Sequence, residues 1–189
     1  MNVYDFDKTI YDGDATLDFY FFCLKKDVFL VRYLIMQIYG FLLYKLGLCN
    51  KTQFKEYFYC FFRGIEDIDE YVDIFWEKHV NKIKIWYIRQ KTAGDIVISA
   101  SPQFLLEIVC NKLGIKTIIA SNVNKKTGKY TGENCYGKEK VKRYKEVFGN
   151  QNIDNFYSDS YSDYPLAELA KNAYIVKGNY LKIWDKNDK

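Results

Sequence analysis

Asp5 and Asp7 stand two residues apart at the end of the apolar opening run, in "VYDFDKTIYDGD" (3–14), with Thr9, Asp12 and Asp14 close behind. Carboxylates crowded this closely repel one another, so a nearby cation or a proton-transfer task must offset the repulsion. Two further clusters have the same character. "DIVISAS" is an apolar run of strand length that ends in Ser99, Ala100 and Ser101. "NFYSDSYSD" is strand-like and ends in Asp159 and Asp163. A basic helix start, "GKEKV", lies between those two and carries Lys138 and Lys140. Carboxylates, hydroxyls and an ammonium brought to one edge would suit a phosphate and a divalent metal.

Parallel strands can bring them there. From about Gly94 onward, apolar runs alternate with helical patterns: "DIVISAS", helix "QFLLEIVCNKLG", strand "KTIIASNV", helix "KEKVKRYKEVFG", strand "NFYSDS", helix "PLAELAK", strand "AYIVK". Unbroken apolar strands between helices predict an α/β fold with a Rossmann-like parallel sheet flanked by helices. Ligands in such sheets sit beyond the carboxyl ends of the strands, where the three clusters fall. "VNKKTGKYTGEN" carries glycine turn signals and predicts a hairpin or flap. "WDKNDK" at the end of the chain reads as disordered.

Between the first two strands the pattern is helical throughout. "DIDEYVDIFWEKHVNKIKIWYIRQK" reads as one long amphipathic helix, and Asn50 or Thr52 as an N-cap for "QFKEYFYCFF". This block exceeds a simple crossover and predicts an inserted all-helical subdomain: core 1–14 and 92–189, helical insert 15–91. Hinges are expected at 12–15 and 91–94. "VFLVRYLIMQIYGFLLYKLGL" (28–48) is apolar for about the length of a membrane span. Arg32, Gln37 and Lys45 interrupt it, so a buried or surface-lying helix is expected.

The five cysteines are odd in number, lack a CxxC pair and mostly sit in apolar contexts. They read as reduced thiols, with neither disulfides nor zinc, in a cytoplasmic protein or one peripheral to a membrane. The chain opens without a signal-peptide pattern. A balance of 28 basic against 24 acidic residues is too weak a bias to imply nucleic acid. His79 reads as a helix-surface residue, Ser101 as a helix N-cap with a secondary phosphate contact, and Asp163 as an N-cap that can also serve the site.

DFDKT, VISAS, GKEKV and YSDSYSDYPL, in that order, resemble the four motifs of the haloacid dehalogenase superfamily of phosphohydrolases. The helical insert resembles the type 1 cap of its phosphoserine-phosphatase-like branch. The resemblance implies Asp5 as nucleophile forming an aspartyl-phosphate, and Asp7 as general acid and then base. It implies Mg²⁺ held by Asp5, the backbone carbonyl of Asp7 and Asp159. Ser99, with backbone N–H groups near Ala100 and Ser101, would bind phosphate. Lys140, or alternatively Lys138, would neutralise the transition state; Asp163 would orient the lysine or metal-bound water, and Thr9 would support the nucleophile's loop. Asp14 matches a position that contacts the substrate amine in phosphoserine phosphatases. Their cap arginine has no aligned counterpart, Arg63 lying slightly beyond. A small-molecule phosphomonoester is the expected substrate. A lipid-headgroup phosphate at a membrane surface, favoured by the aromatic cap, is the alternative, as is phosphoryl transfer to an acceptor other than water.

Overall fold

The computed structural model describes residues 1–185. Six strands form one sheet: β1 (Asn2–Tyr4), β2 (Ile96–Pro102), β3 (Thr117–Ser121), β4 (Ile153–Ser158), β5 (Ala170–Lys177) and β6 (Tyr180–Ile183). The order is β3-β2-β1-β4-β5-β6, with β1 to β5 parallel and β6 antiparallel to β5. β1 is central, so the chain ends of β2, β1 and β4 lie side by side. Sequence order reverses at β1, which is where open α/β sheets form their ligand crevice.

Both sheet faces are covered, as the unalternated apolar strands require. Tyr4, Val97 and Tyr157 point to one face; Val3, Ile96, Ile98 and Phe156 point to the other. Tyr4, Tyr157 and Tyr174 stack as a row across β1, β4 and β5, with centroids 4.7 Å and 4.9 Å apart. Helices α6 (Gln103–Leu113), α7 (Lys138–Phe148) and α8 (Tyr164–Ala167) link the later strands. Gly114 closes α6 in the left-handed region, φ 78°, where a side chain would be strained.

Five α-helices lie between β1 and β2: α1 (Ala15–Lys26), α2 (Leu34–Lys45), α3 (Lys51–Phe58), α4 (Ile68–His79) and α5 (Ile85–Gln90). Asn50 and Gln53 form a reciprocal capping box on α3. These helices share one continuous apolar cluster with the sheet rather than enclosing a core of their own. Trp76 of α4 packs edge-on against Phe6 and Tyr11, and its indole N–H donates to the Leu105 carbonyl at 2.5 Å.

Four local expectations are corrected. The long helix over 67–91 is broken, because at 80–84 the chain turns its backbone to the loop after β1. Asp12 N–H donates to the Lys82 carbonyl and Lys84 N–H to that of Ile10, both at 2.8 Å. The helix read from "PLAELAK" is a short α8, since β5 already begins at Ala170. β6 was not foreseen. Disorder from Trp184 onward does not hold there: its ring is buried against Phe156, Tyr161 and Tyr164. The rest of that stretch, 186–189, lies outside the described residues. "VNKKTGKYTGEN" folds back through one antiparallel bridge, Val123 to Tyr130. The five cysteines are free thiols, and His79 is half-buried, stacked on Phe75 at 4.3 Å.

Candidate active site

Asp5 follows the last residue of β1 and is held there by donating its N–H to the Tyr157 carbonyl at 2.9 Å. Its carboxylate is buried. The ammonium of Lys140, in the first turn of α7, donates to Asp5 Oδ1 at 2.8 Å and to Asp163 Oδ2 at 2.7 Å. Ser158 Oγ donates to the same Asp163 oxygen at 2.8 Å. Lys140 and Asp163 are each 2% exposed, so this is a buried triad with two carboxylates around one ammonium. Burial works against the Lys140 charge, but Asp5 and Asp163 outweigh it and hold its pKa above the usual lysine range. Burial pushes the Asp5 carboxyl up, to about 8, against the pull of Lys140 and with help from Asp163 and Asp7.

Asp7 lies over the same cavity. Its Oδ1 accepts from Ala15 N–H at 2.6 Å and its Oδ2 from Ser101 Oγ at 2.5 Å. Burial, then the nearby Asp14 carboxylate, pushes its pKa up to about 6, despite those two donors. A carboxyl near pH 6 can give a proton in one step and take one in the next. Directly after Asp7, Lys8 holds a positive φ of 56°, the single non-glycine residue to do so among the described residues. Lys84 supports that turn: its ammonium donates to the carbonyls of Lys8 and of Gly178, the latter at 2.6 Å.

The cavity above measures about 420 Å³ and is lined by Asp5, Asp7, Asp14, Ala100, Ser101, Lys140, Asp159 and Asp163, among others. Ser99, Lys138 and Thr9 lie outside the cavity lining. Ser99 is fully buried inside β2, which runs on to Pro102, and its hydroxyl accepts from Ser101 N–H at 3.1 Å. Lys138 is exposed at the start of α7, outside the cavity lining. Thr9 lies behind the cavity, where its Oγ1 accepts from Asp159 N–H at 3.0 Å and so ties the first loop to the fourth. Asp14 lines the cavity and also caps α1, accepting from Leu17 N–H at 3.0 Å. Ser101 makes no helix-cap bond, because Pro102 separates it from α6 and its hydroxyl serves Asp7. Asp163 likewise caps nothing with its side chain, being engaged by Lys140 and Ser158.

Among the described residues no three or more His, Cys, Asp or Glu side chains converge as a metal cage. Asp5 and Asp159 both line the cavity, however, and burial pushes each carboxyl up from its ordinary pKa. Two hard oxygen ligands, a backbone carbonyl and water fit Mg²⁺, which keeps several waters and needs few protein ligands.

The helical block brings cations that sequence reasoning missed. Lys51 and Lys55, one turn apart on α3, both line the cavity. Lys51 Nζ sits 3.4 Å over the Tyr136 ring, and Lys55 Nζ donates to the Ala100 carbonyl at 2.9 Å. Burial pushes the Lys55 ammonium down, to about 8, with Asp7 and Asp14 opposing. Leu17, Phe54, Phe58 and Tyr59 complete the wall, and the Tyr59 hydroxyl is buried without a hydrogen-bond partner. Arg63 instead points away from this cavity, its Nε donating to the Thr127 carbonyl at 3.4 Å. The missed signal was the i, i+4 spacing of two lysines on a half-buried helix.

A family model described as haloacid dehalogenase-like hydrolase matches residues 3–168. A probable phosphatase of Mycobacterium tuberculosis is 31% identical over 88 residues, covering 43% of this chain and 31% of that protein; the match thus spans under a third of that relative. A Bordetella pertussis protein of unknown function superposes with TM-score 0.71 at 18% identity, over 92% of this chain and 87% of the other. A phosphoserine phosphohydrolase-like protein from Francisella tularensis gives 0.57 at 16% identity, over 91% and 84%. These two likenesses concern the fold. With the family model covering most of its length, the chain belongs to the haloacid dehalogenase-like hydrolases.

Proposed function

We propose that this protein is an Mg²⁺-dependent phosphomonoesterase that works through an aspartyl-phosphate on Asp5. The observation that carries the reading is the buried Asp5–Lys140–Asp163 triad, set beside Asp7 on one cavity floor. Asp5 Oδ1 is engaged by Lys140, which leaves Oδ2 to attack phosphorus. The phosphorus–oxygen bond to the leaving group breaks, and the Asp7 carboxyl gives its proton to the departing oxygen. The Asp7 carboxylate then takes a proton from water, which attacks phosphorus and releases Asp5 and inorganic phosphate. Lys140 stays charged throughout and offsets the negative charge of carboxylate and phosphoryl group. When bound by Asp5, Asp159 and the Asp7 carbonyl, Mg²⁺ would supply charge neutralisation to the phosphoryl oxygens. Ser101 would orient Asp7, and Thr9 would fix the loops that carry Asp5 and Asp159.

The substrate class follows from the cavity wall. Lys51 and Lys55 face the space where a leaving group must lie, above the apolar Leu17, Phe54 and Phe58. The reading is a phosphomonoester whose leaving group bears a second negative charge, carboxylate or phosphate. A small metabolite meets this description; so does a lipid-borne phosphomonoester, favoured by the exposed apolar helix α2, whose Tyr44 stacks on the cavity-lining Phe54 of α3.

The test is hydrolysis of p-nitrophenyl phosphate with Mg²⁺ and with chelator, by the wild type and by Asp5→Asn. Metal-dependent turnover that the variant lacks is expected. Turnover that survives in Asp5→Asn would overturn the assignment of the nucleophile.

A further inference from the structure

Helix α2 is packed inside out. A helix on a soluble protein turns its apolar stripe to the core. Here the buried positions are Gln37 and Gly40. Gln37 is fixed by Tyr20, whose hydroxyl donates to its Oε1 at 2.7 Å, and by its own amide, which donates to the Phe58 carbonyl at 2.9 Å. At Gly40 the helices touch so closely that an added Cβ would lie 2.2 Å from Tyr57 Cβ. With polar and small residues seated on the seam, the large apolar ones face outward. Ile35 is 76% exposed, with Ile38 and Leu42 half-exposed, and Phe29 (75%) and Leu46 (71%) extend the apolar surface before and after the helix. Contiguous apolar surface of this kind marks an interaction site.

The charge of the segment says what covers it. Between Asp27 and Glu56 the chain contains no acidic residue and four basic ones: Arg32, Lys45, Lys51 and Lys55. Arg32 and Lys45 are exposed near the two ends of α2. Apolar residues bracketed by cations fit an anionic lipid surface.

The run Val28–Lys45 is long and apolar enough to cross a membrane. α2 itself has 12 residues and so spans about 18 Å, against a hydrocarbon core of about 30 Å. Its middle is bound to α1 and α3 at Gln37 and Gly40, and α3 must return to the cavity. We propose that α2 docks the protein on an anionic bilayer, lying in the interface rather than crossing it. Tyr44 stacks on Phe54 at 5.2 Å, and Phe54 lines the cavity, so docking sets the cavity beside the membrane.

The test is co-sedimentation of the full chain with vesicles of phosphatidylglycerol and phosphatidylcholine, and of phosphatidylcholine alone. Binding to the anionic vesicles is expected, weakening as salt rises. Ile35→Glu with Leu42→Glu should abolish it without altering p-nitrophenyl phosphate turnover or the thermal midpoint. Arg32→Gln with Lys45→Gln is the milder pair, weakening binding about fivefold per charge removed. Vesicle binding is read independently of catalysis, so its failure and that of the phosphatase reading are separable. Absence of binding, or binding untouched by both pairs, overturns the proposal. Equal binding to neutral vesicles overturns its electrostatic part. A concentration-dependent dimer that Ile35→Glu with Leu42→Glu disperses, without vesicle binding, would assign the face to a second copy.

Discussion

Lys55→Met removes one ammonium from the cavity wall while keeping an apolar stem of similar length. In the structure that ammonium donates to the Ala100 carbonyl at 2.9 Å and lies in the field of Asp7 and Asp14. A substrate anion would replace the carbonyl as its partner, so the gain is the difference between a charge-assisted bond and an existing one. Hydrogen bonds to charged groups contribute about 1.5–3 kcal/mol. With Lys51 still in place, the lower half applies, and kcat/KM should fall roughly twelve- to forty-fivefold. That loss should appear only where the leaving group is anionic. The assay compares 3-phosphoglycerate with glycerol 3-phosphate, which present the same scissile ester with and without a carboxylate.

The pH dependence is a second reading of the same contact. Burial lowers the Lys55 pKa to about 8, so the charge is present below that pH and is lost as pH rises through it. Wild-type preference for 3-phosphoglycerate should therefore decline between about pH 7 and 9, while Lys55→Met stays flat. An equal loss on both substrates would instead mean that Lys55 acts through the Ala100 carbonyl on the phosphate loop and not on the leaving group.

Lys140→Met should destabilise the fold by about 3–5 kcal/mol, since it leaves Asp5 and Asp163 buried together without their cation. Chemical denaturation in chelator at pH 8 and pH 5 measures it. The loss should shrink at the lower pH, where the stranded carboxylates take up protons more readily. Lys8→Gly should raise the thermal midpoint by about 2–4 °C, because a left-handed lysine costs about 1 kcal/mol that glycine avoids. A fall in the midpoint would show that the Lys8 side chain contributes more than its backbone costs.

The parallel sheet was legible because each strand is an unbroken apolar run with both faces covered, and its helices are closed by Gly114 and Gly149. The clustering of Asp5, Asp7, Asp159 and Asp163 was legible because strand ends are the places where a parallel sheet converges. Between the two candidate lysines, the helical turn decides: Lys140 points inward at the third position of α7 while Lys138 faces solvent. Ser99 and Ser101 stand two residues apart, and because β2 runs on to Pro102 it is Ser101 that lines the cavity. The break at 80–84 was hidden because its cause is long-range, backbone bonds to Ile10 and Asp12 across some seventy residues. Lys51, Lys55 and Lys84 were missed for a related reason. A lysine reads as a solvated face until a partner from elsewhere covers it, here Tyr136, Ala100 and Gly178.

The central claim is that Asp5 carries the phosphoryl group and Asp7 moves the proton. p-Nitrophenolate needs no acid to leave, so Asp7→Asn should still be phosphorylated by p-nitrophenyl phosphate, yet lack the base that lets water finish the cycle. Acid-quenched Asp7→Asn, digested and weighed by mass spectrometry, should show one phosphoryl group on the peptide that contains Asp5. Asp5→Asn treated alike should show none. A phosphoryl group on any other residue, or steady turnover by Asp5→Asn with no adduct in Asp7→Asn, would contradict the account.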